Sequence, residues 1–261
     1  MARQLELLDT LAAKGQTEFS LEEARAAFRA SASATANALR RLQEKGLVDR
    51  VAHGRYAMRP FGALGTSTAT DDPSLAVGIA FEELPHRIAY LSALASHDLL
   101  AHPVRTIFVA SVRQVRFTKI SRHPLRVIIE KADTIHLHAE PVGRSWRSTL
   151  DRAIFEAALR LDLVGGIERL VEAVARSAAD TNPTNIAELA KAFGPRGLAA
   201  QRRIATLART LDLPLAVDPA VTVERPVIRL DPRDDHVEWT DARYRVAWNR
   251  TVDELREVIG N

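Results

Sequence analysis

Ser20-Leu21-Glu22-Glu23 forms an S-x-x-E capping box, Ser31 is placed to cap a further helix, and Gly46 stands where that helix must stop. These signals cut residues 20 to 46 into two consecutive helices, LEEARAAF and the longer segment from Ser31 to Lys45, separated by Arg29 and Ala30. Ahead of them Leu5, Leu8, Leu11 and Ala12 recur at helical spacing, and Gly15 ends the pattern. Behind them, in LVDRVAHGRYAMRP, Leu47, Val48, Val51, Tyr56 and Met58 flank a turn at His53-Gly54, with Arg50 and Arg55 on either side. Three helices followed by a basic hairpin within residues 1 to 60 is the order of a winged helix-turn-helix domain, whose third helix enters the major groove while the hairpin touches the backbone.

The third helix divides cleanly on a helical wheel. Ala32, Thr35, Ala38, Leu39 and Leu42 fall on a packing side, and Ser33, Asn37, Arg40, Arg41 and Glu44 on a polar one. Short side chains let a backbone approach base-pair edges closely, and arginines reach guanine edges or phosphates. Ser33, Asn37, Arg40 and Arg41 are therefore the expected major-groove residues, with His53 and Arg55 near phosphates in the hairpin. A solvated helix face carries arginines too, and a fold of this kind also serves as a protein-interaction module.

Residues 61 to 80 are expected to connect two domains, because FGALGTSTATDDPS, 61 to 74, is rich in small polar residues and has no apolar period. The second unit, 81 to 261, reads as α+β. RIAYLSALASHDLL resembles a helix pair, and TIFVAS, VRFTKI, LRVIIE and TIHLHA read as strands. From Leu150 the pattern turns helical through LDRAIFEAALRL, GGIERLVEAVARSA, NIAELAKAF and GLAAQRRIATLARTL. A strand at YRVAWN and a helix at TVDELREVI close the chain.

Charge is distributed unevenly. Residues 1 to 60 carry ten Lys or Arg against seven Asp or Glu, 61 to 99 carry one against five, and 100 to 131 carry seven against one. Two basic segments separated by an acidic one predict two surfaces for anionic partners. The second consists of Arg113, Arg116, Lys119, Arg122 and Arg126, and it suits DNA backbone, another phosphate-bearing ligand or an acidic protein face equally well; a solvated sheet surface is the plain alternative. Zero cysteines exclude disulfides, thiolate nucleophiles and cysteine zinc sites. No apolar run approaches a bilayer's thickness, and the charged N-terminus lacks a signal-peptide core, so a cytoplasmic protein is expected.

Catalytic signals are weak. Neither phosphate-binding glycine motif nor a nucleophile elbow occurs, and no nucleophile, base and oxyanion donor assemble. His136 and His138, two apart on an expected strand, would share one face, but no third metal ligand lies nearby; the acidic string DPRDDH, 231 to 236, reads more simply as a polar loop. No metal, cofactor or enzymatic activity is expected.

Over nearly its whole length the chain resembles the AbiEi-like antitoxin and transcriptional-regulator family of bacterial type IV toxin-antitoxin systems. The resemblance rests on the order of GLVDRVAHGRYAMRP, RIAYLSALASHDLL, TIFVAS, RSTLDRAIFEAALRLDLVGGIERLVEAVARS, GLAAQRRIATLARTLDLP and RYRVAWN. Asp151, Arg152, Ala153 and Glu156 fit the family's helix start, while Leu150 replaces its proline. The resemblance implies repression of the protein's own operon through inverted repeats in double-stranded DNA, and a second domain that counteracts an AbiEii-like nucleotidyltransferase toxin, directly or functionally, in abortive phage infection. Two alternatives stand beside it: an enzyme that modifies the toxin by phosphoryl transfer, and a winged-helix regulator or interaction module without an antitoxin role.

Overall fold

The computed structural model describes residues 2–13, 17–59, 73–120 and 123–260. It contains both helices and small sheets, in keeping with an α+β chain. The first elements are α1 (Ala2–Ala13), β1 (Glu18–Ser20), α2 (Leu21–Phe28), α3 (Ala32–Glu44), β2 (Val48–Ala52) and β3 (Arg55–Met58). The strands form an antiparallel sheet in the order β1-β3-β2.

Local chemistry sets these boundaries. Ser20 Oγ accepts from the Glu23 amide at 3.0 Å while the Glu23 carboxylate accepts from the Ser20 amide at 2.6 Å, which closes the capping box. Arg29 ends α2 in the left-handed region at φ 48°, Ser31 Oγ caps α3 through the Ala34 amide, and Gly46 leaves α3 at φ 66°. Leu11, Phe19, Ala24, Leu39, Leu42, Val48 and Tyr56 make the core beneath them, with the Phe19 and Tyr56 rings stacked. The three-residue β1 is too short to show a period in the sequence.

The second unit is built on a six-stranded mixed sheet. Its strands are β4 (His86–Ile88), β5 (Ile107–Ser111), β6 (Lys119–Ile120), β7 (His123–Ile129), β8 (Ala139–Val142) and β9 (Ser145–Ser148), in the order β6-β7-β5-β4-β9-β8. Every residue of β5 is buried, because both faces of the sheet are covered. Phe108 and Ala110 face a large core with α5 (Tyr90–Ser96), α6 (Leu150–Leu159), α7 (Ile167–Ser177), α8 (Pro183–Ala192) and α9 (Gly194–Thr210). Ile107 and Val109 face the opposite way, toward α4 (Pro73–Ala80) and toward Val51 and Ala57 of the β2-β3 hairpin. A small sheet, β10 (Ile228–Arg229), β12 (Val246–Trp248) and β11 (Trp239–Asp241), and α10 (Val252–Gly260) complete the chain.

Four expectations need correction. Residues 73 to 80, expected to belong to an unstructured connector over 61 to 80, are a helix with Ala76, Val77 and Ile79 buried; residues 61 to 72 lie outside the described residues. RIAYLSALASHDLL is strand β4 followed by helix α5, with Tyr90 held at φ 51° between them. VRFTKI supplies only the two-residue β6. TIHLHA is not a strand but a run of turns before β8, because buried arginines take its carbonyl groups: Arg87 donates to Ile135 O at 2.7 Å, and Arg152 donates to Thr134 O at 2.6 Å and to Leu137 O.

Those two arginines belong to a buried ionic cluster. Arg87, Arg152 and Glu156 are at most 1% exposed, and Glu130 is nearly so. Arg87 pairs with Glu130 at 2.7 Å and with Glu156; Arg152 pairs with Glu130 and, through Nε, with Glu156 at 2.9 Å. Glu156 also accepts from the Tyr90 amide at 2.9 Å and from Ser148 Oγ at 3.0 Å. Two positive and two negative groups thus neutralise each other where β4, β9, α6 and the end of β7 meet. Burial alone would raise the Glu156 carboxyl pKa, but Arg87, Arg152 and the Tyr90 amide outweigh it and hold the pKa below the usual range.

Candidate nucleic-acid interface

α3 buries only Thr35, Leu39 and Leu42; Ala38 is half-buried, and Ala32, expected on the packing side, is exposed. The Thr35 hydroxyl donates to Ser31 O at 3.0 Å, so this buried polar residue serves the helix start. The remaining surface is wide and shallow. Ser33, Ala34, Ala36, Asn37, Arg40 and Arg41 are all exposed, with the small residues in the first two turns and the guanidinium groups one turn further on. At about 1.5 Å per residue this strip is about 12 Å long.

The two arginines are not equivalent. Arg40 Nη1 lies 3.0 Å from Glu44 Oε1 one turn away, whereas Arg41 has no ion pair among the described residues. In the hairpin, His53 is exposed and its Nδ1 lies 3.1 Å from the Arg50 guanidinium, a neighbour outside the residues expected at the site from the sequence. Arg55 is engaged elsewhere: its Nη2 lies 2.8 Å from Glu82, which also pairs at 3.0 Å with Arg144; Arg144 in turn pairs with Glu18 on β1. The resulting Glu18-Arg144-Glu82-Arg55 chain of charges joins the first sheet to the second unit. No sequence pattern announces it, since Arg55 and Glu82 are 27 residues apart and Glu18 and Arg144 are 126 apart.

The two basic segments meet in part. A cleft of about 270 Å³ is lined by His53 and Arg55 from the hairpin, Arg113, Val115 and Phe117 from the second basic segment, and Glu82 and Glu83. Arg113, Arg116, Lys119 and Arg126 are all exposed. Arg126 lies over the Phe108 ring, 5.9 Å from its centroid, and the first three form no ion pair among the described residues. Arg122 lies outside the described residues.

The metal candidates dissolve into ordinary pairings. His136 Nε2 contacts His86 O at 3.2 Å and its ring packs on Trp146, while His138 pairs with Glu188 at 3.0 Å, so the two imidazoles have separate partners. In DPRDDH, Asp231 binds Arg233, Asp234 binds Arg250 and Asp235 binds Arg229. No group of three or more His, Asp or Glu among the described residues is placed to hold a metal ion. No helix among them is long and apolar enough to cross a membrane.

Two other histidines predict a pH response. Burial is the largest influence on both His86 and His97, and it depresses their pKa below 6.5 despite hydrogen bonds to Leu84 O and Ser148 O. The unfolded chain then binds more protons, so the stability contributed by these neutral rings is full above about pH 6.5 and is lost as the pH falls toward the depressed values. The thermal midpoint is expected to fall between pH 7 and pH 5, and less steeply in the double variant His86→Gln/His97→Gln. An equal slope in both proteins would contradict this assignment.

No family model matches the sequence, and a search of curated proteins finds no match. Among solved structures the chain is similar to the RV2827C protein of Mycobacterium tuberculosis, with a TM-score of 0.71 at 18% identity over 100% of this chain and 96% of that one. At that identity the likeness is one of fold.

Proposed function

We propose that residues 1 to 60 form a winged helix-turn-helix domain that binds double-stranded DNA through α3, and that the chain is the antitoxin and autorepressor of a toxin-antitoxin pair. The observation that carries the DNA-binding part is the exposed strip of α3, small at its start and basic one turn later, mounted on a β1-β3-β2 sheet. The AbiEi-like order of motifs supports the antitoxin part and points to a nucleotidyltransferase toxin as the opposing activity. In this reading the protein is not an enzyme, it works in the cytoplasm, and its operator carries inverted repeats.

Fluorescence anisotropy with a duplex from upstream of the protein's own gene, against a shuffled duplex, tests the DNA-binding part. The native duplex is expected to bind at least about tenfold more tightly, with log affinity falling linearly in log salt at a slope near −0.9 per phosphate contact. An interaction module without DNA binding would show no salt-dependent affinity for either duplex. Growth rescue on co-expression with a neighbouring nucleotidyltransferase gene tests the antitoxin part separately.

A further inference from the structure

Among the described residues, the outer edge of β7 is open beyond Leu125. Its parallel register with β5 runs from Ile107↔Leu125 to Ser111↔Ile129, and Ser111 O accepts the Glu130 amide at 2.9 Å. In a parallel ladder, hydrogen-bonding groups on one strand alternate in direction. Arg126, Ile128 and Glu130 therefore turn their amides toward β5, and Leu125, Val127 and Ile129 turn theirs away. Thr118 O takes the Leu125 amide at 2.8 Å, and β6 pairs only with His123 and Pro124. The outward N–H and C=O groups of Val127 and Ile129 have no partner among the described residues, and Ile129 is 54% exposed. The opposite edge of the sheet, β8, is blunted by Pro141.

The surroundings of the open edge select its occupant. Lys119, paired with Pro124, and Arg126, on β7 itself, are exposed basic residues at this edge, within a segment, 100 to 131, that carries seven basic groups and one acidic one. A second copy of the chain would set this positive charge against itself across the new strand pair. A DNA backbone matches the charge but has no amide and carbonyl ladder to offer. An extended acidic peptide matches both. We infer that β7 accepts an extended, acidic segment of a partner protein as an added strand, with Val127 and Ile129 making the backbone bonds and the surrounding basic side chains selecting its carboxylates.

The probes are three acetylated eight-residue peptides in which valine and threonine alternate with glutamate, glutamine or lysine. The glutamate peptide is expected to bind saturably, at least about tenfold more tightly than the glutamine peptide at low salt, and to protect the Val127 and Ile129 amides from hydrogen exchange. Val127→Pro removes an outward amide without touching the β5 ladder and is expected to weaken this binding at least about tenfold. Lys119→Glu/Arg126→Glu serves the same end with no backbone change and is expected to remove the preference for glutamate. Equal binding of the glutamate and glutamine peptides, protection elsewhere, or no peptide binding would overturn the inference, the last leaving the basic residues as guards against edge pairing. Self-association sensitive to Val127→Pro would assign the edge to a second copy, and protection of the same amides by duplex DNA would assign it to nucleic acid. The inference stands apart from α3, since operator affinity and edge protection are read separately.

Discussion

Glu156→Ala is expected to destabilise the protein by about 3–5 kcal/mol, the largest loss of any single substitution considered for this chain. The truncated residue leaves Arg87 and Arg152, both fully buried, sharing Glu130 alone, so one guanidinium charge has no compensating carboxylate. It also orphans the Tyr90 amide, which Glu156 accepts at 2.9 Å at a residue held at φ 51°. Glu156→Gln keeps the shape and one acceptor oxygen but not the charge, and is expected to fall between alanine and the parent. Because the folded-state pKa of Glu156 is depressed below 4.5, its contribution is full above that pH and is lost as acid brings the pH down through the folded value. Urea unfolding at pH 7 reads the effect directly, and a loss under about 1 kcal/mol would show that the cluster relaxes by admitting water.

The same cluster explains why part of the fold was hidden in the sequence. Caps and stops act over three or four residues, so Ser20, Glu23, Ser31 and Gly46 placed α2 and α3, and the leucine period from Leu150 placed α6 to α9. TIHLHA has a strand's alternation, yet Arg87 and Arg152, 48 and 18 residues from the carbonyls of Ile135 and Thr134, hold it in turns. Local propensity cannot register a partner so distant, and it fails in the same way at α4, whose burial depends on the hairpin and on β5. The site divides likewise. The exposure of Ser33, Asn37, Arg40 and Arg41 followed from periodicity, whereas the engagement of Arg55 by Glu82 and the open edge at Val127 are tertiary facts without a local signature.

Arg41→Ala is expected to weaken binding to the native upstream duplex by about 1–3 kcal/mol, and Arg40→Ala by less. The order follows from the neighbours of the two groups. Arg40 must give up Glu44 at 3.0 Å before it can contact a phosphate or a guanine edge, and Glu44 itself adds negative charge to the exposed strip of α3; Arg41 has no such pair among the described residues. Because Arg40 and Glu44 are both well exposed, their pair adds little stability, so under the proposed DNA binding its rupture would offset only part of the Arg40 contact. Glu44→Ala should therefore tighten DNA binding modestly while leaving the fold intact, and Asn37→Ala/Arg41→Ala should bring the native duplex close to the affinity of the shuffled one. A shallower salt slope, by about one for each phosphate contact removed, distinguishes a phosphate role for an arginine from a base-reading role, which instead relaxes sequence preference at one position. Equal losses for Arg40→Ala and Arg41→Ala at matched salt would mean that Glu44 swings clear at no cost; no loss in the double variant would remove α3 from the interface altogether.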